Sequence, residues 1–521
     1  MLKMDHRSTA TLESPPANPG PAPSGSPARA LRFPRGAVLA GITLLAAGLR
    51  FGLLGKNSLW FDEAWVARLT QLRWTEMLSL LASTDVHPPL YFFLMKGWTT
   101  VAGTSEVALR LPSALASVSA VLLTYFLIRR IASEPVSRLA AFLVAVSPFD
   151  VMAGQEARMY PLLELLALGS TLALVVAVEW GGAVRWAAYA GLAAATAYTH
   201  YLGILILAAH GIWIAGFESR HLRAWLLAAG GVVLLCAPWL PSMWHQATQT
   251  EYHSWYRERV TLSHLTGLLG LFAFGGSLFG MQDYFFSGTL PPAVQALVVL
   301  PFLAVLWRGG VALSSDRRAL GLLGLCLAFP IGAAFLISLM KPMFYPRWFS
   351  FLIPFYATFI ALGIVEVAGR FRAPRAAVAG LAAGMLALSV PVFGRYYFDP
   401  SFRPYQWRAA AAVVRAEVHP ADAIVYVYYA SEVAFRYYFH EQHPTLILTP
   451  LEATSGAAHP GLTAAQARDL AARYPRVWLI ATIPFDARME QRLFPTLKTA
   501  FRFREVRDFR AVWVALLEAK P

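Results

Sequence analysis

The sequence predicts a polytopic α-helical membrane protein with about eleven transmembrane helices, followed by a C-terminal extracytoplasmic α/β domain. Three observations predict it. Of 521 residues, 57% are hydrophobic and only 14% are charged, against roughly 25% charged in an ordinary soluble domain, and the mean hydropathy is +0.50. Apolar runs of the length a membrane helix needs, roughly 20 residues, recur from Ala37 to Phe393. From about Tyr396 onward that pattern stops, and short alternating and amphipathic segments replace it.

Residues 1–35 form a Pro-rich leader, expected to be a disordered cytoplasmic tail. It is too long and too rich in proline to start a signal peptide, and no Ala-x-Ala-like cleavage site follows the first apolar run, so that run is read as a permanent anchor. Residues 36–395 then hold the membrane domain. Span one runs from Ala37 to about Leu54, span two from Pro112 to Ile128, span three from Val136 to Phe149, span four from Pro161, and span five from Trp186 to Tyr198. Span six descends to Arg220 and Arg223, span seven rises to Pro241, span eight runs from Ala293 to Arg308, and span nine from Ala319 to Met340. Span ten covers Trp348 to Ala368, and span eleven passes Arg370, Arg372 and Arg375 to end near Phe393. With the N-terminus inside, every strong basic cluster faces the cytoplasm, as the positive-inside rule requires. The segment Pro89 to Val101 is apolar but short, and making it a span would turn Arg129, Arg130 and the Arg370 to Arg375 cluster outward. It is therefore expected to lie flat on the outer face.

The net charge of +14 would suit a nucleic-acid binder. The basic residues sit in short clusters between apolar runs, however, which makes them a topology signal and excludes nucleic acid as a partner. Cys236 and Cys326 both lie inside apolar runs and imply neither a disulfide nor a metal site.

In the tail, residues 396–521, an amphipathic helix is expected from Trp407 to Val418, strands at Ala423 to Tyr429, Val477 to Ile483 and Ala511 to Leu517, and a helix from Leu462 to Arg473. No Gly-rich phosphate loop, HExxH motif or Cys/His metal spacing occurs there. A lid, a scaffold or an acceptor-docking surface is the role such a domain would fill.

This topology sends the unusual polar motifs to one compartment. They are Asp62-Glu63 within WFDEAW, His87 before two prolines, Gln155 to Tyr160 with Glu156 and Arg158, Thr199-His200-Tyr201, the Glu251 to Arg259 stretch, and Lys341 to Arg347 with Tyr345. Their convergence argues for a catalytic or transport centre at the outer face. Asp62 and Glu63 point apart in either a helix or a strand, so one carboxylate is available for proton abstraction while its neighbour serves structure.

Each residue also has a plain structural reading. Asp62 would cap a helix from Glu63 to Leu69; Glu156 and Arg158 would pair with each other or with headgroups; His87 would sit in a rigid turn. His200 and Tyr201 would belong to the interfacial aromatic belt, and Arg347 would snorkel to headgroups. In the functional reading, Arg347, Lys341 and Arg158 grip a phosphate. Asp62, Glu156 and one histidine would be the ligands of a divalent ion, though their spacing is not diagnostic. A transporter or flippase is the rival class, but the sequence carries no two-fold repeat, and its polar motifs cluster at span ends. An inactive scaffold that binds partners through the outer domain is the third reading.

The ordered motifs WFDEAW, HPPLYFFLMKGW, SPFDVMAGQEARMYPLLELL, YTHYLGIL and YPRWFSFLIP resemble the GT-C class of membrane glycosyltransferases, especially bacterial members related to protein O-mannosyltransferases and the lipid A aminoarabinose transferase. The likeness runs from about Leu53 to Pro354 and continues less specifically into the tail, which resembles the periplasmic domain of those enzymes; the chain has one or two spans fewer than the larger members. The resemblance implies a multi-pass inner (plasma) membrane enzyme whose site faces the periplasm or exterior. Its activity would be an inverting hexosyl or pentosyl transfer from a polyprenyl-phosphate-linked sugar to a hydroxyl on a glycan, lipid or protein. Asp62 takes the place of the catalytic base and Glu156 that of the second outer-loop acid, while His-Pro-Pro replaces the Lys-Pro-Pro of the aminoarabinose enzymes. Glu63 completes the acidic group, and His87, Arg158, Tyr160, His200, Tyr201, Lys341, Tyr345 and Arg347 are the expected donor-binding residues.

Overall fold

The computed structural model describes residues 35–248, 260–275, 292–341, 344–399, 405–449, 462–482 and 487–521. The N-terminal tail and the Glu251 to Arg259 stretch lie outside these residues. The helices are α1 (Arg35–Phe51), α2 (Phe61–Gln71), α3 (Trp74–Ser83), α4 (Leu90–Ala102), α5 (Glu106–Ile131), α6 (Glu134–Ala145) and α7 (Pro148–Gly154). Next come α8 (Tyr160–Trp180), α9 (Ala183–Thr199), α10 (Gly203–Phe217), α11 (Leu222–Cys236), α12 (Leu240–Thr248) and α13 (Leu262–Phe274). The bundle closes with α14 (Pro292–Ala312), α15 (Arg317–Met340), α16 (Ile353–Ala368) and α17 (Pro374–Phe398).

Each of the eleven expected spans falls on a helix. Among the described residues, six helical stretches are long and apolar enough to cross a membrane by length and composition, seven if the bent pair α6 and α7 counts as one, and α1, α10, α13 and α14 have shorter apolar stretches. The expected third span is broken, with α6 and α7 meeting at 59°. Pro148 starts α7 behind Ser147, so the α6 ladder cannot continue. Helix α13 was not anticipated; it lies in what the hydropathy pattern reads as an outer loop, and it packs against α14 and α7.

Glycine allows one close crossing in the bundle. A Cβ on Gly309 of α14 would stand 2.0 Å from the Phe359 carbonyl oxygen of α16, and one on Gly363 would stand 2.0 Å from the Val305 carbonyl oxygen. Small residues let membrane helices approach backbone to backbone in this way.

The segment expected to lie flat is α4, and it belongs to a layer at one end of the bundle. Its Tyr91, Phe92 and Met95 share a core with Leu59, Trp65 and Leu69 around α2, and with Trp407, Tyr426 and Trp478 of the C-terminal domain. Lys96 of α4 donates to the Thr70 and Leu72 carbonyls, which satisfies carbonyls left open as α2 ends.

The C-terminal domain is a five-stranded sheet in the order β2-β1-β3-β5-β4: β1 (Ala423–Tyr428), β2 (Thr445–Thr449), β3 (Arg476–Thr482), β4 (Phe501–Asp508) and β5 (Val512–Ala519). Strand β1 pairs parallel with β2 and β3, while β5 pairs antiparallel with β3 and β4. Its helices are α18 (Trp407–Glu417), α19 (Tyr429–Arg436), α20 (Ala464–Arg473) and α21 (Ala487–Ala500). Alternation along the strands divides the side chains. Ile424, Tyr426, Trp478 and Ile480 join the core shared with α2 and α4, whereas Val425, Val427, Leu479 and Ala481 pack with Leu470, Leu493 and Leu497 beneath α20 and α21. The helices expected from Trp407 and Leu462 and the strands expected from Ala423, Val477 and Ala511 are all present, starting within two residues of those positions, and β2, β4, α19 and α21 are additions.

Candidate functional site

Asp62 is in the first turn of α2, whose N-cap is Trp60. The capping reading of Asp62 therefore fails: it lies inside the helix, and its Oδ2 accepts instead from Arg347 Nη2 at 2.6 Å, with Arg158 Nη2 at 3.5 Å. Its other oxygen, Oδ1, takes no hydrogen bond among the described residues. Burial acts to raise the Asp62 pKa, but the Arg158 and Arg347 guanidinia outweigh it and hold the carboxyl below its usual range.

Glu63, one residue on, points elsewhere, as adjacent helical positions must. Arg110 of α5 grips it with two bonds, Nε to Oε1 at 2.7 Å and Nη2 to Oε2 at 2.6 Å, and Oε1 also accepts from the Ala157 backbone at 2.9 Å. The same guanidinium donates to the Leu54, Asn57 and Ser58 carbonyls. Of the two acids read as a catalytic pair, Glu63 is thus fully engaged in joining α2, α5 and the segment that carries Glu156.

That segment is fixed from its other side by α7. Arg50, wholly buried at the end of α1, donates to the Val144 and Ala145 carbonyls at the break between α6 and α7 and pairs with Asp150 at 2.6 Å. Gln155 Nε2 donates to the Leu49, Arg50 and Gly52 carbonyls. Glu156 and Arg158 are therefore displayed from a rigid turn and do not pair with each other. Glu156 Oε2 and Arg158 Nε are buried without a hydrogen-bond partner among the described residues, as is the Tyr160 hydroxyl. Burial pushes the Glu156 carboxyl up to about 8, Glu63 and Asp62 add to the shift, and Arg347 and Arg158 oppose it. Near neutral pH it is mostly protonated, with a hydrogen to donate.

Arg347 is buried, and aromatic rings surround it. Its guanidinium lies 4.5 Å from the centroid of Trp60, 5.1 Å from Tyr345 and 5.4 Å from Tyr160. A snorkelling arginine would point away from the protein, and this one points into it. His87 and His200 complete the group, with ring centroids 5.6 Å apart, and His200 also lies 6.0 Å from Tyr160 and 5.7 Å from Trp348. Burial, followed by the positive field of His87, Arg158 and Arg347, keeps His200 neutral well below the usual histidine range.

Of the expected site residues, Asp62, Glu156, Arg158, Tyr160, Tyr345, Arg347, His87 and His200 come together. Tyr201 and Lys341 do not. The Tyr201 hydroxyl is held between Gln246 and Trp239, and Lys341 Nζ donates to the Ala247 carbonyl at 2.8 Å. The divalent-ion expectation also finds no donor set: among the described residues no three His, Cys, Asp or Glu side chains are placed to hold a metal. Asp62 Oδ2 is taken by two cations, and Glu156 favours its neutral form.

Sequence reasoning missed Trp60 and Asp85. Trp60 opens the WFDEAW motif, and its aromatic character was the available signal. Asp85 stands two residues before His87; its Oδ2 accepts from Trp65 Nε1 at 2.8 Å, and its Oδ1 accepts from the His87 backbone at 2.9 Å and contacts His87 Nδ1 at 2.8 Å. Burial would raise its pKa, but the hydrogen bond and charge of His87, then the Trp65 bond, hold it low.

Residues 86–244 match the dolichyl-phosphate-mannose-protein mannosyltransferase family. No curated protein matches the sequence. Among solved structures, ArnT from Cupriavidus metallidurans bound to undecaprenyl phosphate aligns over 92% of this chain and 98% of its own at 13% identity, with a TM-score of 0.58. The oligosaccharyltransferase of Archaeoglobus fulgidus tethered with an acceptor peptide aligns over 93% of this chain and 74% of its own at 14% identity, with a TM-score of 0.57. The same organism's AglB in complex with an inhibitory peptide and a dolichol-phosphate gives 92%, 74%, 12% and 0.55. The chain thus shares its fold with the GT-C class of membrane glycosyltransferases, and its residues 86–244 are similar to the dolichyl-phosphate-mannose-protein mannosyltransferase family.

Proposed function

We propose that the chain is an inverting glycosyltransferase that moves a hexosyl or pentosyl group from a polyprenyl-phosphate-linked donor to a hydroxyl on a glycan, lipid or protein. The reaction takes place at the periplasmic or exterior face of the inner (plasma) membrane, with Asp62 as general base. The observation that carries the reading is the grip of two buried arginines, Arg347 and Arg158, on one oxygen of Asp62. A carboxylate and a phosphate offer guanidinium the same kind of acceptor. One oxygen of Asp62 pairs with both cations. A donor phosphate replaces it there, the field that holds its pKa down is partly neutralised, and the carboxylate becomes a stronger base beside the anomeric carbon.

Transfer then needs one displacement. The acceptor hydroxyl gives its proton to Asp62, its oxygen bonds to the anomeric carbon, and the bond from that carbon to the phosphate oxygen breaks with its electron pair leaving on the lipid phosphate. Configuration inverts. Arg347 and Arg158 face the charge that grows on the departing phosphate, the position where fixed donors lower a barrier most. Glu156, mostly neutral, stands near Asp62 without adding a second negative charge. The undecaprenyl phosphate and dolichol-phosphate bound by fold neighbours support a lipid-phosphate donor. Outside the cytoplasm a membrane-carried donor also removes the need for a nucleotide sugar.

The test is transfer by the purified protein from polyprenyl-phosphate sugars, read by mass spectrometry of the acceptor, with Asp62→Asn alongside. Loss of about 10²–10⁴-fold in turnover with donor binding retained is the expected result. Near-normal turnover of the variant would remove Asp62 as base.

A further inference from the structure

The Asp85 and His87 pair remains unexplained by a base and two phosphate-binding arginines. Asp85 is buried, and each of its oxygens meets a donor: Oδ2 the Trp65 indole, Oδ1 the His87 backbone and ring. A carboxylate only accepts, so the ring nitrogen facing it, Nδ1, carries hydrogen. The opposite nitrogen, Nε2, then holds the free lone pair, and it accepts from Arg158 Nη2 at 3.4 Å. That same Nη2 lies 3.5 Å from Asp62 Oδ2. One guanidinium nitrogen therefore separates Nε2 of His87 from the carboxylate assigned as base. Two prolines follow His87, which stiffens the turn.

We propose that His87, oriented by Asp85, is the proton donor to the lipid phosphate as it leaves, an assignment that rests on the donor reading above. Asp85 is the positioning residue. A phosphate bound at Arg158 lies beside Nε2, and its negative charge draws a proton onto that nitrogen. The charged groups facing the ring are Asp85 on its own loop, Asp62 on α2 and Arg158 on the turn before α8, together with the neutral His200 after α9. Two carboxylates and one arginine thus carry the charge around the ring. The phosphate takes up the positive charge of Arg158, and the balance turns toward the protonated ring.

In the transfer step the acceptor proton goes to Asp62 and the carbon to phosphate-oxygen bond breaks. The proton on His87 Nε2 passes to the freed oxygen, so that the lipid product leaves as the monoanion. Asp62 then loses a proton to solvent and His87 regains one. A monoanionic leaving group needs less charge stabilisation than a dianion, and the departing end of the reaction gains an acid to match the base at the attacking end.

The experiment measures proton uptake when undecaprenyl phosphate binds the full-length protein in detergent, by calorimetry near pH 7 in two buffers of different ionisation enthalpy. The wild type is expected to take up close to one proton more per lipid bound than His87→Gln, and Asp85→Asn an intermediate amount. His87→Lys retains lipid affinity through its charge but not the extra uptake, and its turnover stays on the order of 10²-fold or more below wild type. Equal proton uptake in wild type and His87→Gln, or full turnover in His87→Lys, would overturn the acid role while leaving the donor reading intact. A wild type that does not bind undecaprenyl phosphate would overturn both.

Discussion

Arg347 Nη2 stands 2.6 Å from Asp62 Oδ2, joining two residues 285 positions apart in sequence. The contact ties the start of α2 to the turn before α16, the two places where the sequence sets a charge among aromatic residues at the edge of an apolar run. Its consequences are open to measurement.

Replacing Arg347 with Ala is expected to raise the donor concentration needed for half-maximal transfer far more than the acceptor concentration. Arg347→Lys is expected to recover only part of the loss, because an ammonium cannot bind two phosphate oxygens in the plane of a fork. Donor and acceptor titrations of the three proteins give the answer, and full rescue by Lys would argue for a simple charge.

Glu156 gives the site a pH dependence. Its folded pKa of about 8 lies above the ordinary carboxyl value, so the folded state holds a proton that the unfolded chain releases near pH 4.5. Stability contributed by the neutral carboxyl is complete below pH 4.5, falls as pH rises toward 8 and is constant above it. Glu156→Gln should melt higher than wild type by an amount that grows across this window, reaching a few kcal/mol at its alkaline end. Above pH 8 the wild type should also bind anionic donor more weakly, because a second carboxylate is then charged beside Asp62, and the Gln variant should not. Parallel melting and donor-binding curves from pH 5 to 9 test both parts.

Glu63 and Arg110 are predicted to matter for folding before chemistry. Arg110→Met leaves a carboxylate buried without its partner, a loss of roughly 3–5 kcal/mol, and it also frees the turn that carries Glu156. A lower melting temperature with poor recovery from detergent is expected. A well-folded Arg110→Met protein lacking activity would instead place the pair in the reaction.

Gly309→Ala and Gly363→Ala each put a methyl group into the carbonyl of the facing helix. Overpacking of this kind costs on the order of 1–3 kcal/mol. Both variants should melt lower than wild type, and the double variant should cost less than the sum, since one separation of α14 from α16 relieves both clashes. Additive losses would mean that the two helices adjust independently.

A mostly helical membrane protein with a small C-terminal sheet domain was legible in the sequence, because hydropathy and strand alternation are local properties that each segment carries alone. The candidate site was legible as a set of motifs: Asp62, Glu156, Arg158, His87, His200, Tyr345 and Arg347 all reach one place, and a polar residue at the end of an apolar run has few reasons to be there other than a site. Tertiary structure decided which partner each side chain of the set meets. Asp62 and Glu63 are neighbours in sequence with the same chemistry, and only the position of Arg110, on α5 three helices further along the chain, engages Glu63 in an ion pair. Lys341 and Tyr201 belong to the same motifs as true members of the cluster, yet a carbonyl at Ala247 and an amide at Gln246 hold them elsewhere. Asp85 carries no motif of its own, and its bond to His87 shows only when the turn before the two prolines is folded. Membrane insertion follows from composition summed along the chain, whereas the orientation of each charged group follows from partners dozens to hundreds of residues distant, which no local pattern encodes.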